Sequence, residues 1–210
     1  VTGDVGTAWD ERRVAFASAA SWFTATVGLV GARWGRPALG EWDVRALVGH
    51  TSRALLTVEQ YLARPAAAVD VPTSVAYFLA ARSAGGGVAA DVARRGREAG
   101  AALGADPVAA LDALAARVLR AVSATTGDEL VTSVVGGMRL AEYLPTRTFE
   151  LVVHTVDLAV ALDEPAEPPA AAGRAALDVV AALAAAEGTA GPVLLALTGR
   201  DALAPGFTLL

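Results

Sequence analysis

Cysteine and lysine are both absent from the 210-residue chain, and histidine occurs only twice. Without cysteine there is no disulfide framework, no thiolate-ligated zinc and no catalytic thiol in the protein, so any sulfur chemistry must use an external thiol. Without lysine there is no phosphate-binding loop of the kind that closes on a Lys, and all 17 basic residues are arginines. Their one cluster beyond the adjacent Arg12 and Arg13 is Arg94, Arg95 and Arg97, which sit with Glu98 and read as a solvated helix face rather than a phosphate-binding patch. A net charge of −5 gives no support to nucleic-acid binding. Aromatics make up only 6% of the chain while 54% is hydrophobic, mostly Ala, Val and Leu, which favours helices packed closely through small side chains over a β-rich core. No uncharged apolar run approaches the ~20 residues of a membrane span. The opening "VTGDVGTAWDERR" lacks the basic and apolar regions of a secretory signal, so a cytoplasmic address is expected.

The length suits one sizeable domain with a short appendage. From about Ala8 to Val30, Trp9, Val14, Phe16, Ala20, Phe23 and Val27 recur at three- and four-residue spacings, predicting a long amphipathic helix that Gly31 ends. Gly35, Pro37 and Gly40 mark a loop, and Asp43 is the predicted N-cap of a helix reaching about Ala63. A helical pattern runs from Val75 to about Leu103, interrupted at Gly85–Gly87, which reads as a flexible break. Asp106-Pro107 carries an N-cap and first-turn signature for a helix to about Ser123. The β-branched "LVTSVVGG" is either a short strand or an extended connection. A last bundle helix, starting near Leu140 or Pro145, ends at Leu162, with Pro145 kinking it or lying in its first turn. The predicted division is thus a bundle over 1–163. Over 164–210 a turn-rich linker, an Ala-rich helix and a two-strand cap around Gly199-Arg200-Asp201 are expected.

The segment "RTFELVVHTVDLAVAL" carries the chemistry. At about 100° per residue, Arg147, Glu150, His154 and Asp157 fall within an arc of roughly 80° on a helix that is otherwise apolar or small. Such a seam should hold Leu or Val, because an unpaired buried charge is severely unfavourable. A metal shared by Glu150 and His154, one turn apart, would neutralise it, and a carboxylate with imidazoles suits Zn²⁺ at about 2.0–2.2 Å. A third ligand must come from another helix. His50, the second histidine, shares a core-like face with Leu47, Ala54 and Tyr61, which completes a His₂Glu set with an open coordination position. The alternative is a buried network in which Arg147 and Asp157 pair with Glu150 and His154 and no metal is present. Trp42 and Tyr143 read as packing at the bundle end rather than substrate contacts.

At these residues the sequence resembles the DinB-like metal-binding bundles of actinobacteria, specifically the family of maleylpyruvate isomerase and other mycothiol-dependent enzymes. "RPALGEWDVRALVGHTSRAL" is similar to the family's Pro…Trp-x-Val-Arg-x-Leu-x-x-His segment, and "RTFELVVHTVDLAVAL" to its Arg-x-x-Glu-x-x-x-His-x-x-Asp helix. "DVARRGREAGAAL" is a weaker match, and the likeness covers roughly residues 8–163. The resemblance implies a mostly α, DinB-like four-helix bundle with a small C-terminal α/β appendage. It also implies zinc, or another divalent ion such as Ni²⁺, on His50, Glu150 and His154, and mycothiol or a similar low-molecular-weight thiol at the open position. Relatives with isomerase activity look to carry a larger C-terminal domain than the segment present here.

Three functions follow as expectations. The first is thiol transfer or thiol-dependent isomerisation of a small electrophile. The metal would hold the cofactor sulfur as thiolate, with Asp157 orienting a ligand imidazole or accepting a proton and Arg147 as charge partner of Glu150. The second is a hydrolase in which a metal-bound water attacks with Asp157 as base. The third is a non-catalytic binding protein whose metal staples the bundle. Expected partners are the thiol and the electrophile, with neither nucleic acid nor membrane, and a homodimer through the Ala-rich surfaces.

Overall fold

The computed structural model describes residues 4–83 and 89–209. The glycine break expected at Gly85–Gly87 lies outside them. The described residues form eight α-helices and two short antiparallel hairpins. Helices α1 (Asp4–Gly28), α2 (Val44–Leu62), α5 (Pro107–Ser123) and α6 (Leu140–Leu162) form the bundle: α1 and α2 each pack against both α5 and α6. Along α1 the residues Trp9, Phe16, Ala20, Phe23 and Val27 are buried, a seam spaced by three, four or seven. Val14, expected in that stripe, falls two residues short of Phe16 and is exposed. Gly31 takes a left-handed φ of 57° just beyond the helix end.

Hairpin β1 (Pro37–Leu39) and β2 (Trp42–Asp43) leads into α2, whose N-cap is Asp43: its carboxylate accepts from the Ala46 N–H at 2.8 Å. Asp106 caps α5 in the same way through the Ala109 N–H, with Pro107 in the first turn. Outside the bundle, α3 (Ser74–Ser83) packs on α6, and α4 (Ala89–Ala102) crosses α2. That crossing is set by glycine. A Cβ on Gly49 would collide with the backbone of Gly100, and a Cβ on Gly100 would stand 2.5 Å from the Arg45 carbonyl oxygen, so the two helix backbones touch.

The ambiguous stretch before α6 resolves into a hairpin, β3 (Leu130–Ser133) with β4 (Gly136–Arg139), paired in register Ser133 to Gly136. Helix α6 begins at Leu140 and carries Pro145 in its second turn. Proline has no N–H for the Ala141 carbonyl, and the Arg12 guanidinium donates to that oxygen at 2.7 Å instead. At the other end, Arg33 donates to the Leu162 carbonyl at 2.6 Å.

The segment beyond α6 differs from expectation. The Ala-rich helix is there as α7 (Ala170–Ala186), and it buries Ala172, Ala176, Val179 and Leu183 against the bundle. The two-strand cap is not: Gly191–Leu197 belongs to helix α8 (Ala190–Leu197), and no strand follows among the described residues. Ala and Leu dominate that stretch and favour helix, and Pro192 sits within the first turn where proline is tolerated. The appendage is therefore helical, and the strands lie in the hairpins that enter α2 and α6. No helix among the described residues is long and apolar enough to cross a membrane.

Candidate metal centre

Helices α2 and α6 run antiparallel, with a ladder of contacts between them. Tyr143 donates its hydroxyl to Thr57 Oγ1 at 2.8 Å, and further along His50 meets His154 edge to face with ring centroids 4.8 Å apart. Glu150, one turn before His154, turns to the same point. One ligand atom from each of His50, Glu150 and His154 lies within 4.8 Å of the others. The three residues singled out by sequence are thus brought together from two helices.

The electrostatics separate the two histidines. His154 Nε2 stands 3.4 Å from Glu150 Oε2, and its Nδ1 3.1 Å from Asp157 Oδ2. Burial alone would lower its pKa, but the hydrogen bonds to Asp157 and Glu150 outweigh that and raise it to about 9. Burial also opposes ionisation of Glu150, yet the hydrogen bond from His154 and the Arg147 charge hold its carboxyl well below the usual range. His50 goes the other way: burial first, then the neighbouring His154, lower it to about 4. Glu150 raises it only in part, and His50 makes no ion pair with that carboxylate. Its Nδ1 is buried with no hydrogen-bond partner, and Trp42 covers the ring at 4.5 Å between centroids. An orphaned buried nitrogen is costly.

A divalent ion fits this set. It would take a lone pair from neutral His50, replace the proton shared between His154 and Glu150, and leave His154 Nδ1–H donating to Asp157, the partner arrangement that fixes a ligating imidazole. Bonds of about 2.0–2.2 Å in a tetrahedron put ligand atoms roughly 3.4 Å apart, which His154 and Glu150 already meet.

His50 and Glu150 open onto a cavity of about 450 Å³, within the range of small-molecule sites. Its wall includes Arg53 and Tyr61 from α2, Tyr77 from α3, Arg95 from α4 and Arg147 from α6. Asp157 is not part of that wall. It lies behind His154, in a groove between α6 and α7 with Val153 and Leu177. Arg147 is buried, donates from Nη2 to the Tyr77 hydroxyl at 3.2 Å, and makes no ion pair with Glu150. Tyr143 is fully buried and Trp42 nearly so; Tyr143 packs as expected, whereas Trp42 sits on a candidate ligand.

A protein-family model described as the mycothiol maleylpyruvate isomerase N-terminal domain matches residues 9–159. The chain belongs to this family. Its mostly helical DinB-like bundle, with α1, α2, α5 and α6 inside the matched region, is the family's fold. Membership ties the protein to mycothiol-related, metal-dependent enzyme chemistry, and the His50, Glu150 and His154 grouping lies within the matched region. No curated protein and no solved structure matches the chain.

Arg53, Tyr77 and Arg95 were not singled out by sequence as site residues. Arg53 carried a signal, since it follows His50 by three and shares its face. Arg95 was read with Arg94 and Arg97 as solvated. Arg94 does pair with Asp91 and Glu98 at the surface, but Arg95 turns to the cavity. Tyr77 gave no sign, because its helix touches the site only through the tertiary fold.

Proposed function

We propose that the protein is a divalent-metal enzyme that activates a mycothiol-like external thiol for S-transfer to, or thiol-dependent isomerisation of, a small electrophile. The single observation that carries this reading is the juxtaposition of the His50, Glu150 and His154 donors with a cavity onto which two of them face, in a family whose description names both mycothiol and maleylpyruvate. Zinc suits the donors, and Ni²⁺ can take the same set. When bound, the ion would hold the thiol sulfur as a thiolate near neutral pH.

The chain's own residues do the rest. His50 supplies a neutral nitrogen that needs no deprotonation. Asp157 holds His154 through Nδ1 so that Nε2 faces the ion, which makes it a positioning residue; from behind the imidazole it is poorly placed as the base of a hydrolase. Arg53, Arg95 and Arg147 make the wall cationic, which suits an electrophile bearing carboxylate or ketone oxygens. Trp42, Phe78 and Val92 line or cover the site with apolar surface and limit water.

The test is metal analysis of the purified protein and of His154→Ala, then cobalt substitution and titration with a small thiol. One metal per wild-type chain, lost in the variant, with a sulfur-to-cobalt charge-transfer band on adding thiol, supports the reading. Metal without a thiol band would favour a hydrolytic or purely structural site. No metal would remove the centre altogether.

A further inference from the structure

Arg147 is a buried cation without a counter-ion of its own. It is 9% exposed, and among the described residues no carboxylate stands within ion-pair distance. Nε donates to Thr146 Oγ1 at 3.0 Å and Nη2 to the Tyr77 hydroxyl at 3.2 Å, both neutral acceptors. Its guanidinium carbon lies 5.2 Å from the centroid of the Tyr77 ring and 5.0 Å from that of Tyr143. Aromatic faces soften the burial of a cation, but they do not replace an anion.

Tyr77 has a matching incompleteness. Its oxygen accepts from Arg147, which leaves the O–H as a donor with no acceptor among the described residues, on the cavity wall. Tyr143 spends its proton on Thr57. Tyr61 also lines the cavity, but Tyr77 alone of the three tyrosines accepts a hydrogen bond from a guanidinium, whereas Tyr61 lies beneath that of Arg64. Arg147 precedes Glu150 by one turn, about 5 Å along α6, so an acceptor whose reacting carbon lies beside the ligand set extends its next atoms toward this pair.

We propose that Tyr77 and Arg147 form an oxyanion site for the electrophile, binding the oxygen on which negative charge builds as the thiolate adds. The inference rests on the thiol-addition reading above. For an electrophile with a carbon–carbon double bond conjugated to a carbonyl, the S–C bond forms at the β-carbon and the π pair moves to the carbonyl oxygen. Tyr77 donates its O–H to that oxygen, and the Arg147 charge behind the phenol stabilises it. Rotation about the resulting single bond and return of the pair expel the thiolate, so no oxidant, reductant or net proton is needed. Preorganised donors of this kind act most strongly where water is excluded.

The test uses 4-nitrophenolate as the oxyanion probe, followed by its absorbance, with the metal-loaded protein and with protein stripped by a chelator. Wild type is expected to bind the probe in both states. Tyr77→Phe keeps the ring over Arg147 and is expected to weaken binding about ten- to hundredfold, the worth of a hydrogen bond to a charged group. Tyr143→Phe is expected to bind as wild type does. Arg147→Gln, the second variant should Tyr77→Phe fail to fold, is expected to lose binding to a similar degree. Equal binding by wild type and Tyr77→Phe overturns the proposal, and so does binding only when metal is present. Because the probe needs no thiol, a missing thiol band in the cobalt protein indicts the parent reading, while a Tyr77-independent probe site indicts this one.

Discussion

Two imidazoles packed edge to face carry opposite proton affinities, and that difference decides how metal and proton compete. His154 is raised to about 9 by Asp157 and Glu150, so in the metal-free protein its contribution to stability is full below its ordinary value of 6.5 and is lost as pH rises through about 9. His50 is lowered to about 4; its neutral form favours the fold above 6.5, and that contribution is lost as pH falls through about 4. Between 6.5 and about 9, metal uptake should therefore release about one proton, from His154, and the apparent affinity should rise about tenfold per pH unit. Calorimetry in buffers of different ionisation enthalpy reads the proton directly; no release in that window would mean His154 is not a ligand. Asp157→Asn should flatten the slope and, at pH 9 where the proton no longer competes, weaken metal binding about ten- to a hundredfold. The grouping of His50, Glu150 and His154 and the contact of His154 with Asp157 were legible because ionisable groups on an apolar seam stand out. Arg147, expected as the charge partner of Glu150, donates to Tyr77 instead. The roles of Tyr77 and Arg95 were not legible, because their long side chains reach in from helices that the seam does not include.

Among the elements, the crossing of α2 and α4 sets where the cavity wall stands. Gly49→Ala would force the backbones of α2 and α4 apart, and overpacking of this kind costs about 1–3 kcal/mol. The expected readouts are a lower denaturation midpoint and a weaker hold on any ligand touching Arg95. At the start of α6, Arg12→Met removes the donor to the Ala141 carbonyl and the 2.8 Å ion pair to Glu142. The freed carbonyl alone should destabilise the protein by about 1–3 kcal/mol, measurable by denaturant unfolding. The helix boundaries at Asp43 and Asp106 were readable because side-chain caps are local chemistry. The C-terminal strands were misread because the glycine and proline punctuation around a short apolar run was given more weight than the helix preference of its Ala and Leu residues. The Gly49–Gly100 contact was invisible as well, since its meaning exists only when two distant helices meet.

For the molecule as a whole, a metal at the proposed centre would couple to the fold by mass action. At a free ion concentration one hundred times the dissociation constant, stabilisation should be about 2.7 kcal/mol, seen as a higher melting temperature that His50→Ala or His154→Ala abolishes. A melting temperature unchanged by metal in the wild type would argue against the site. The candidate ligands come from α2 and α6, with His50 in the first quarter of the chain and Glu150 and His154 in the third. During synthesis, a nascent chain that has emerged only as far as α5 offers one imidazole and none of its co-ligands, too few donors to retain an ion. Capture waits until α6 has closed against α2. Loading at the proposed centre would thus work as an assembly check: an ion that stays bound would certify that α2 and α6 have met, and a partly made chain would draw nothing from the cell's metal pool at this site.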